Sequence, residues 1–121
     1  MSDQVYVVWT EIPVSDMEKS MAFYNKVFGW SLTLDTSGPV PMAMFGGEPG
    51  VAGGHLYPGK SGAGPTVHIA IPDDLEAATE RAKAAGATIG MGPIEIPPGR
   101  FTFIEDLDGN SIGLFEQKKA A

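Results

Sequence analysis

Two windows without glycine or proline constrain the fold of this chain more than any other feature. One window covers residues 14–28 and the other covers residues 73–85. Proline precedes each window and glycine follows it, which is the asymmetry of an α-helix. Each window also opens on a capping box, Ser15–Glu18 in the first and Asp73–Glu76 in the second. The sequence therefore predicts two helices that start 58 residues apart.

Strand-like segments occupy matching places around the two helices. A β-branched and aromatic run precedes each helix, over residues 5–12 and 66–71, and three extended runs follow each helix. These later runs cover residues 30–34, 41–45, 51–57, 88–94, 100–105 and 111–116. The layout predicts an internal duplication of a βαβββ unit, over residues 4–57 and 66–117, with a Gly/Ser/Pro-rich linker at residues 58–65.

Each predicted unit is too small to bury both a helix and a sheet face alone, so we expect one domain over residues 1–121. Pairing the units edge to edge gives an α+β fold with an open, curved mixed sheet, an incomplete barrel around a cleft with the helices outside. Ligand sites favour the mouths of such folds. The apolar stripe of the first helix, which includes Tyr24 and Phe28, is expected to pack in the core.

Composition excludes several classes of function. The formal net charge is −7, and the chain has no cysteine. An acidic chain without a basic stripe is a poor partner for nucleic acid or an anionic membrane, and no apolar run is long enough to span a bilayer. The absence of cysteine excludes a disulfide scaffold and a thiolate nucleophile. No leader peptide is visible, so we expect a cytoplasmic protein whose charge mildly favours a cationic small-molecule ligand.

Two signatures carry a family resemblance. One is Val14-Ser15-Asp16-Met17 leading to the segment at residues 23–30, and the other lies at residues 105–112. With the duplicated layout, they resemble the vicinal oxygen chelate superfamily, which includes glyoxalase I, bleomycin-resistance proteins, fosfomycin-resistance enzymes and extradiol dioxygenases. Residues 9–14 and 96–101 look most like a glyoxalase-like single-domain branch. The resemblance implies a small-molecule ligand and a homodimer, on a scaffold that hosts many chemistries.

The resemblance also implies where metal-dependent members bind their ion, at one inward position on the first and last strand of each unit. On this sequence the four positions are Trp9, His55 or Gly54, one of Thr66, Val67 and His68, and Gly113. An indole nitrogen only donates hydrogen bonds, and glycine has no side chain. A metal site needs three or four ligands, so we expect no metal centre of the family type and no other cofactor.

Two polar residues in strands are the candidate catalytic residues. Strand alternation puts Glu11 on the same face as Trp9, and a carboxylate among apolar neighbours is costly to bury unless it is paired. Glu11 could serve as a general base or could simply bond to a neighbouring strand or a dimer partner. His68 becomes the symmetry mate of Glu11 and faces the cleft if Pro72 introduces a bulge. Without the bulge His68 matches Thr10 and faces away, as a core histidine would.

Aromatic and basic residues complete the predicted substrate pocket, which consists of Trp9, Phe45, His55, Arg100, Phe101 and Phe103. Arg100 could clamp a substrate carboxylate or pair with an acidic neighbour. An alternative metal site follows from composition, because Glu11, His55 and His68 make a two-histidine, one-carboxylate set of the kind that binds Fe(II).

Three functions are compatible with these residues. The first is a glyoxalase-like small-molecule enzyme without a tightly held metal, with Glu11 or His68 as the base. The second is a binding protein that sequesters a cationic ligand, as bleomycin-resistance proteins do. The third is a scaffold with a vestigial cleft. The direction in which Glu11 and His68 face discriminates among the three.

Overall fold

The computed structural model describes residues 6–48, 51–60 and 62–118, which contain two α-helices and eight β-strands. In chain order they are β1 (Val7–Val14), α1 (Met17–Phe28), β2 (Ala43–Gly46), β3 (Gly53–Pro58), β4 (Thr66–Ala70), α2 (Leu75–Ala84), β5 (Thr88–Ile89), β6 (Ile94–Ile96), β7 (Gly99–Glu105) and β8 (Ser111–Gln117). The predicted α+β class is confirmed. Neither helix in this part of the chain is long and apolar enough to cross a membrane.

The chain divides into two compact units. Trp9–Pro65 form the first, and the described residues on either side of that segment form the second. The strand order is β2-β3-β1 in the first unit and β4-β8-β7-β5 in the second, where β6 also pairs with β7. In both units the first strand runs parallel to the last, β1 with β3 and β4 with β8, and the other pairs are antiparallel. The predicted open mixed sheet is confirmed, and the shared pairing pattern is what a duplication produces.

Both helices begin one residue later than the capping boxes predict. The Asp16 carboxylate accepts a hydrogen bond from the Lys19 backbone N–H at 3.0 Å, and the Asp74 carboxylate caps α2 in the same way. A carboxylate at this position also interacts favourably with the helix dipole. Asp73 is engaged elsewhere, because Arg81 donates two hydrogen bonds to its carboxylate.

The strand predicted over residues 30–34 is absent from this described segment. The Leu32 backbone N–H donates to the Asn25 side-chain oxygen at 2.8 Å instead of joining a strand ladder. The first unit therefore contributes three strands where the sequence predicts four. In the second unit, the run predicted over residues 88–94 is divided between β5 and β6.

The buried apolar core lies mostly in the second unit. Leu75, Ala78, Ile104 and Phe115 are buried there, and Ala43 and Leu56 are buried in the first unit. No side chain of α1 is buried, and Phe28 is 55% exposed. The expectation that the α1 stripe packs in the core is therefore wrong for this unit. Its rings form a surface row instead, in which Tyr24 and Phe28 stack on Trp30.

Candidate functional site

Four side chains of the first unit gather on one face of β1 and β3. The parallel register places Glu11 opposite His55 and Trp9 opposite Gly53. Since side chains alternate along a strand, Trp9 and Glu11 share a face with His55 and Tyr57. We call Trp9, Glu11, His55 and Tyr57 the first-unit cluster.

Each ring nitrogen of His55 faces a polar group. The Trp9 indole N–H donates a 2.8 Å hydrogen bond to Nδ1 of His55, and Nε2 of His55 lies 3.6 Å from a carboxylate oxygen of Glu11. A neutral imidazole has one N–H and one accepting nitrogen. Because Nδ1 accepts from Trp9, the proton of the neutral ring resides on Nε2 and faces Glu11. The His55 and Glu11 side chains are only 12% and 18% exposed.

Tyr57 adds a phenol to this cluster. Its ring meets the His55 ring edge to face, with centroids 5.9 Å apart. Burial raises the pKa of the Tyr57 phenol, and the negative charge of Glu11 raises it further. Tyr57 therefore keeps its proton at neutral pH and can donate a hydrogen bond. The sequence prediction omitted this residue, although its position two residues after His55 on one strand was the signal that could have found it.

His68, the second predicted catalytic residue, lies in a different environment. It is 2% exposed and is paired in register with Gly113 of β8. The rings of Phe101, Phe103 and Phe115 surround it, with centroids 4.8, 5.7 and 6.2 Å from that of the imidazole. A Cβ atom at Gly113 would overlap the imidazole, so glycine makes the room that His68 fills. We call these five residues the aromatic cage.

The cage lies on the face of its sheet opposite α2. Arg100 and Glu116, which alternate with the cage phenylalanines along β7 and β8, both contact α2. His68 therefore has the facing predicted for a symmetry mate of Glu11. Its described ring neighbours are the three phenylalanines of the cage.

Arg100 does not join either group as a substrate clamp. It donates hydrogen bonds to the carboxylates of Glu76 and Glu116 at 2.6–3.1 Å, and Glu116 also accepts from the backbone N–H of Leu75 at the start of α2. These hydrogen bonds hold the pKa values of both glutamates below the ordinary range. The predicted acidic-neighbour role is the one the geometry supports.

Phe45 also lies apart from the first-unit cluster. It pairs in register with Gly54, the neighbour of His55, so the side chains of Phe45 and His55 project from opposite faces of the sheet. Its ring stacks on Trp30 at 4.9 Å, which places it in the surface row beside α1. Of the predicted pocket residues, Trp9 and His55 are in contact in the first unit, and Phe101 and Phe103 are in contact in the second.

The residues at the family's metal positions make other contacts within their own units. Trp9 offers an N–H, Nδ1 of His55 already accepts that N–H, and the space beside Gly113 is filled by His68. Among the described residues, no three histidine, aspartate or glutamate side chains are grouped so that they could hold a metal. Of the alternative Fe(II) set, Glu11 and His55 belong to the first unit and His68 belongs to the cage of the second.

A chain of two α+β units, each of which pairs its first strand in parallel with its last, has the architecture of a glyoxalase-type protein. The sequence confirms this class. The chain belongs to the Glyoxalase/Bleomycin resistance protein/Dioxygenase superfamily, whose family model matches residues 6–114.

Curated relatives and solved structures agree with this assignment. The protein CFP32 of Mycobacterium tuberculosis is 28% identical, matches 92% of this chain and is matched over 45% of its own length, so the chain spans about half of that relative. Lactoylglutathione lyase of Haemophilus influenzae is 28% identical, with 93% of each chain covered. The structure of methylmalonyl-CoA epimerase from Mycobacterium tuberculosis superposes with a TM-score of 0.62 at 16% identity, covering 98% of this chain and 93% of that one. It shows the shared fold.

Proposed function

We propose that this chain is a glyoxalase-like small-molecule enzyme that transfers a proton without a bound metal, with Glu11 as the base. The observation that carries the proposal is the pairing of the Glu11 carboxylate with the protonated Nε2 of His55, at 3.6 Å on a largely shielded face. A carboxylate on a shielded face, beside a fixed imidazole, is well placed to take a proton from a bound substrate.

Each polar group of the cluster has a role in this reaction. Glu11 takes a proton from a substrate carbon next to a carbonyl group, and the electron pair of that C–H bond moves to the carbonyl oxygen. The Tyr57 O–H donates a hydrogen bond to the oxygen on which negative charge develops. His55 holds the carboxylate in place. Return of the proton to the former carbonyl carbon completes an isomerisation, in which one carbon is oxidised as its neighbour is reduced and no external oxidant or reductant is needed.

The comparison with lactoylglutathione lyase supports a first choice of substrate class. That relative is 28% identical over nearly the full length of both chains. The adduct of methylglyoxal with glutathione is therefore the first compound to test, since it carries an acidic C–H next to a carbonyl. His68 is not the base in this proposal, because its ring is 2% exposed inside the aromatic cage.

The test is proton exchange at the substrate carbon. The wild-type protein, in deuterated buffer with a metal chelator, is incubated with the methylglyoxal–glutathione adduct, and loss of the carbon-bound proton is followed by NMR. We expect catalysed exchange that the chelator leaves unchanged. Glu11→Gln should slow it by about 100-fold or more, the typical contribution of a general base. Glu105→Gln, which removes an exposed carboxylate at the end of β7, is the matched control and should keep the wild-type rate.

Two results would contradict the proposal. One is exchange that appears only after a divalent metal is added. The other is exchange that proceeds equally fast in Glu11→Gln. An absence of exchange in the wild-type protein with this adduct and with a panel of other enolisable carbonyl compounds would also count against proton transfer.

A second candidate function is the binding of a cationic ligand without chemistry. The carboxylate of Glu11 lies in one cluster with the aromatic rings of Trp9 and Tyr57, and the chain carries a net charge of −7. Carboxylates and aromatic faces both attract cations. A cationic glycopeptide of the bleomycin type should then raise the melting temperature of the wild-type protein and leave that of Glu11→Gln unchanged. Equal effects on both proteins, or none on either, would contradict this function.

A further inference from the structure

We infer that Trp9 is a positioning residue that fixes the tautomer of His55. The indole N–H can only donate, and it lies 2.8 Å from Nδ1. If Nδ1 carried the imidazole proton, two N–H groups would face each other at that distance. The lone pair of Nε2 would then face the Glu11 carboxylate at 3.6 Å. Both contacts would be repulsive, so the cluster selects the tautomer with its proton on Nε2.

The backbone around Trp9 explains how the indole is held for this purpose. Gly53 lies opposite Trp9 in register and has no side chain to fill the space between the strands. The indole also packs against Gly47, where a Cβ atom would lie 2.8 Å from Cζ3 of Trp9. Gly47 has a φ of +82°, a conformation that favours glycine. These two glycines give the ring a fitted place along β3, from which its N–H reaches His55.

Fixing the tautomer has two chemical consequences. The Nε2–H of His55 is always presented to Glu11, which deepens the proposed function by explaining how the base is oriented. The lone pair of Nδ1 is used by Trp9, so the neutral imidazole has no lone pair left for a metal ion. Trp9 therefore acts on the reaction through His55, without contact with the substrate.

The experiment is NMR of the protein with ¹⁵N-labelled histidine rings. The chain has two histidines and two tryptophans, so His68→Gln assigns the spectrum and Trp30→Phe is a matched control. We expect wild-type His55 at neutral pH to show a protonated Nε2 and an unprotonated Nδ1, both unchanged by one equivalent of Zn²⁺. Trp9→Phe should shift the Nδ1 resonance and populate the tautomer protonated on Nδ1. Trp30→Phe, whose ring lies in the surface row beside α1, should leave His55 as in the wild type.

Three outcomes would overturn the inference: a wild-type His55 protonated on Nδ1, a Zn²⁺-induced shift of its ring nitrogens, or His55 resonances that Trp9→Phe leaves unchanged. The first two come from the wild-type protein alone and do not require that any variant fold. None of the measurements needs a substrate. A Glu11→Gln variant with full proton-exchange activity would thus overturn the proposed function and leave this inference standing.

Discussion

The first-unit cluster and the aromatic cage occupy matching places in their two units and differ in chemical character. Each lies where the first strand of its unit pairs in parallel with the last, and Glu11 pairs with His55 as His68 pairs with Gly113. The cage closes three phenylalanine rings around a histidine that is 2% exposed. The cluster keeps polar groups that a core does not need and that cost free energy to bury. Under the proposed function, the cage stabilises its unit and the cluster carries the chemistry.

Truncating a ring of the cage should give the largest change in stability. Phe115 is 7% exposed, and Phe115→Ala should lower the free energy of unfolding by about 3 kcal/mol, as is typical of buried phenylalanine. Phe23→Ala, at a ring that is 60% exposed, is the control and should change it by less than about 0.5 kcal/mol. Urea denaturation measures both. Equal losses in the two variants would show that the cage is not the stabilising region.

Filling the cage should have the next largest effect. A Cβ atom at Gly113 would lie 2.7 Å from Cγ of His68, so Gly113→Ala should destabilise by about 2 kcal/mol through overpacking. Gly38→Ala is the control, because a Cβ atom there meets nothing within 4 Å. The double variant His68→Ala, Gly113→Ala should lose less stability than the sum of the losses of the two single variants, because the clash is absent once His68 is truncated. Strict additivity in urea denaturation would contradict the contact.

The ion pairs behind the cage should give a smaller, pH-dependent effect. Hydrogen bonds from Arg100 hold the pKa of Glu116 below its ordinary value of 4.5. A carboxyl group with a lowered pKa stabilises the fold above that ordinary value, and the stabilisation is lost as the pH falls through the pKa of the folded state. Arg100→Gln should therefore have a lower melting temperature than the wild type at neutral pH, with a difference that shrinks in acid. Lys83→Gln is the control, and any change in its melting temperature should be the same at all pH values. A difference for Arg100→Gln that likewise stays constant with pH would argue against the ion pairs.

The smallest expected effect is a spectroscopic shift within the cluster. Burial and the charge of Glu11 place the pKa of Tyr57 above the ordinary value of 10.0. The phenolate absorbance that distinguishes the wild type from Tyr57→Phe should thus appear above pH 10. Glu11→Gln should move it downward, because the neighbouring negative charge is removed. An identical titration in both proteins would mean that Glu11 and Tyr57 do not interact.

Local patterns in the sequence predict the helices and the duplication, because glycine, proline and capping residues act within one turn. The strand expected at residues 30–34 does not form, because the backbone N–H of Leu32 donates to the side-chain oxygen of Asn25, a contact that strand propensity does not predict. The face to which a strand side chain points depends on the register of the strand pairing. Phe45 is paired with Gly54, one residue before His55, and therefore lies on the opposite face from His55. Glu11 and His55 could be named from the sequence. The hydrogen bond that joins Trp9 to His55 requires the strand pairing.

The division of roles between the two regions is tested most directly by comparing the proton-exchange rates of Glu11→Gln and His68→Gln. Both are measured with chelator present, below the unfolding transition of each protein, and expressed per folded molecule. The rate of Glu11→Gln should fall by about 100-fold or more, while His68→Gln keeps the wild-type rate with a lowered melting temperature. Loss of exchange in His68→Gln together with retention in Glu11→Gln would place the chemistry in the second unit and contradict the account.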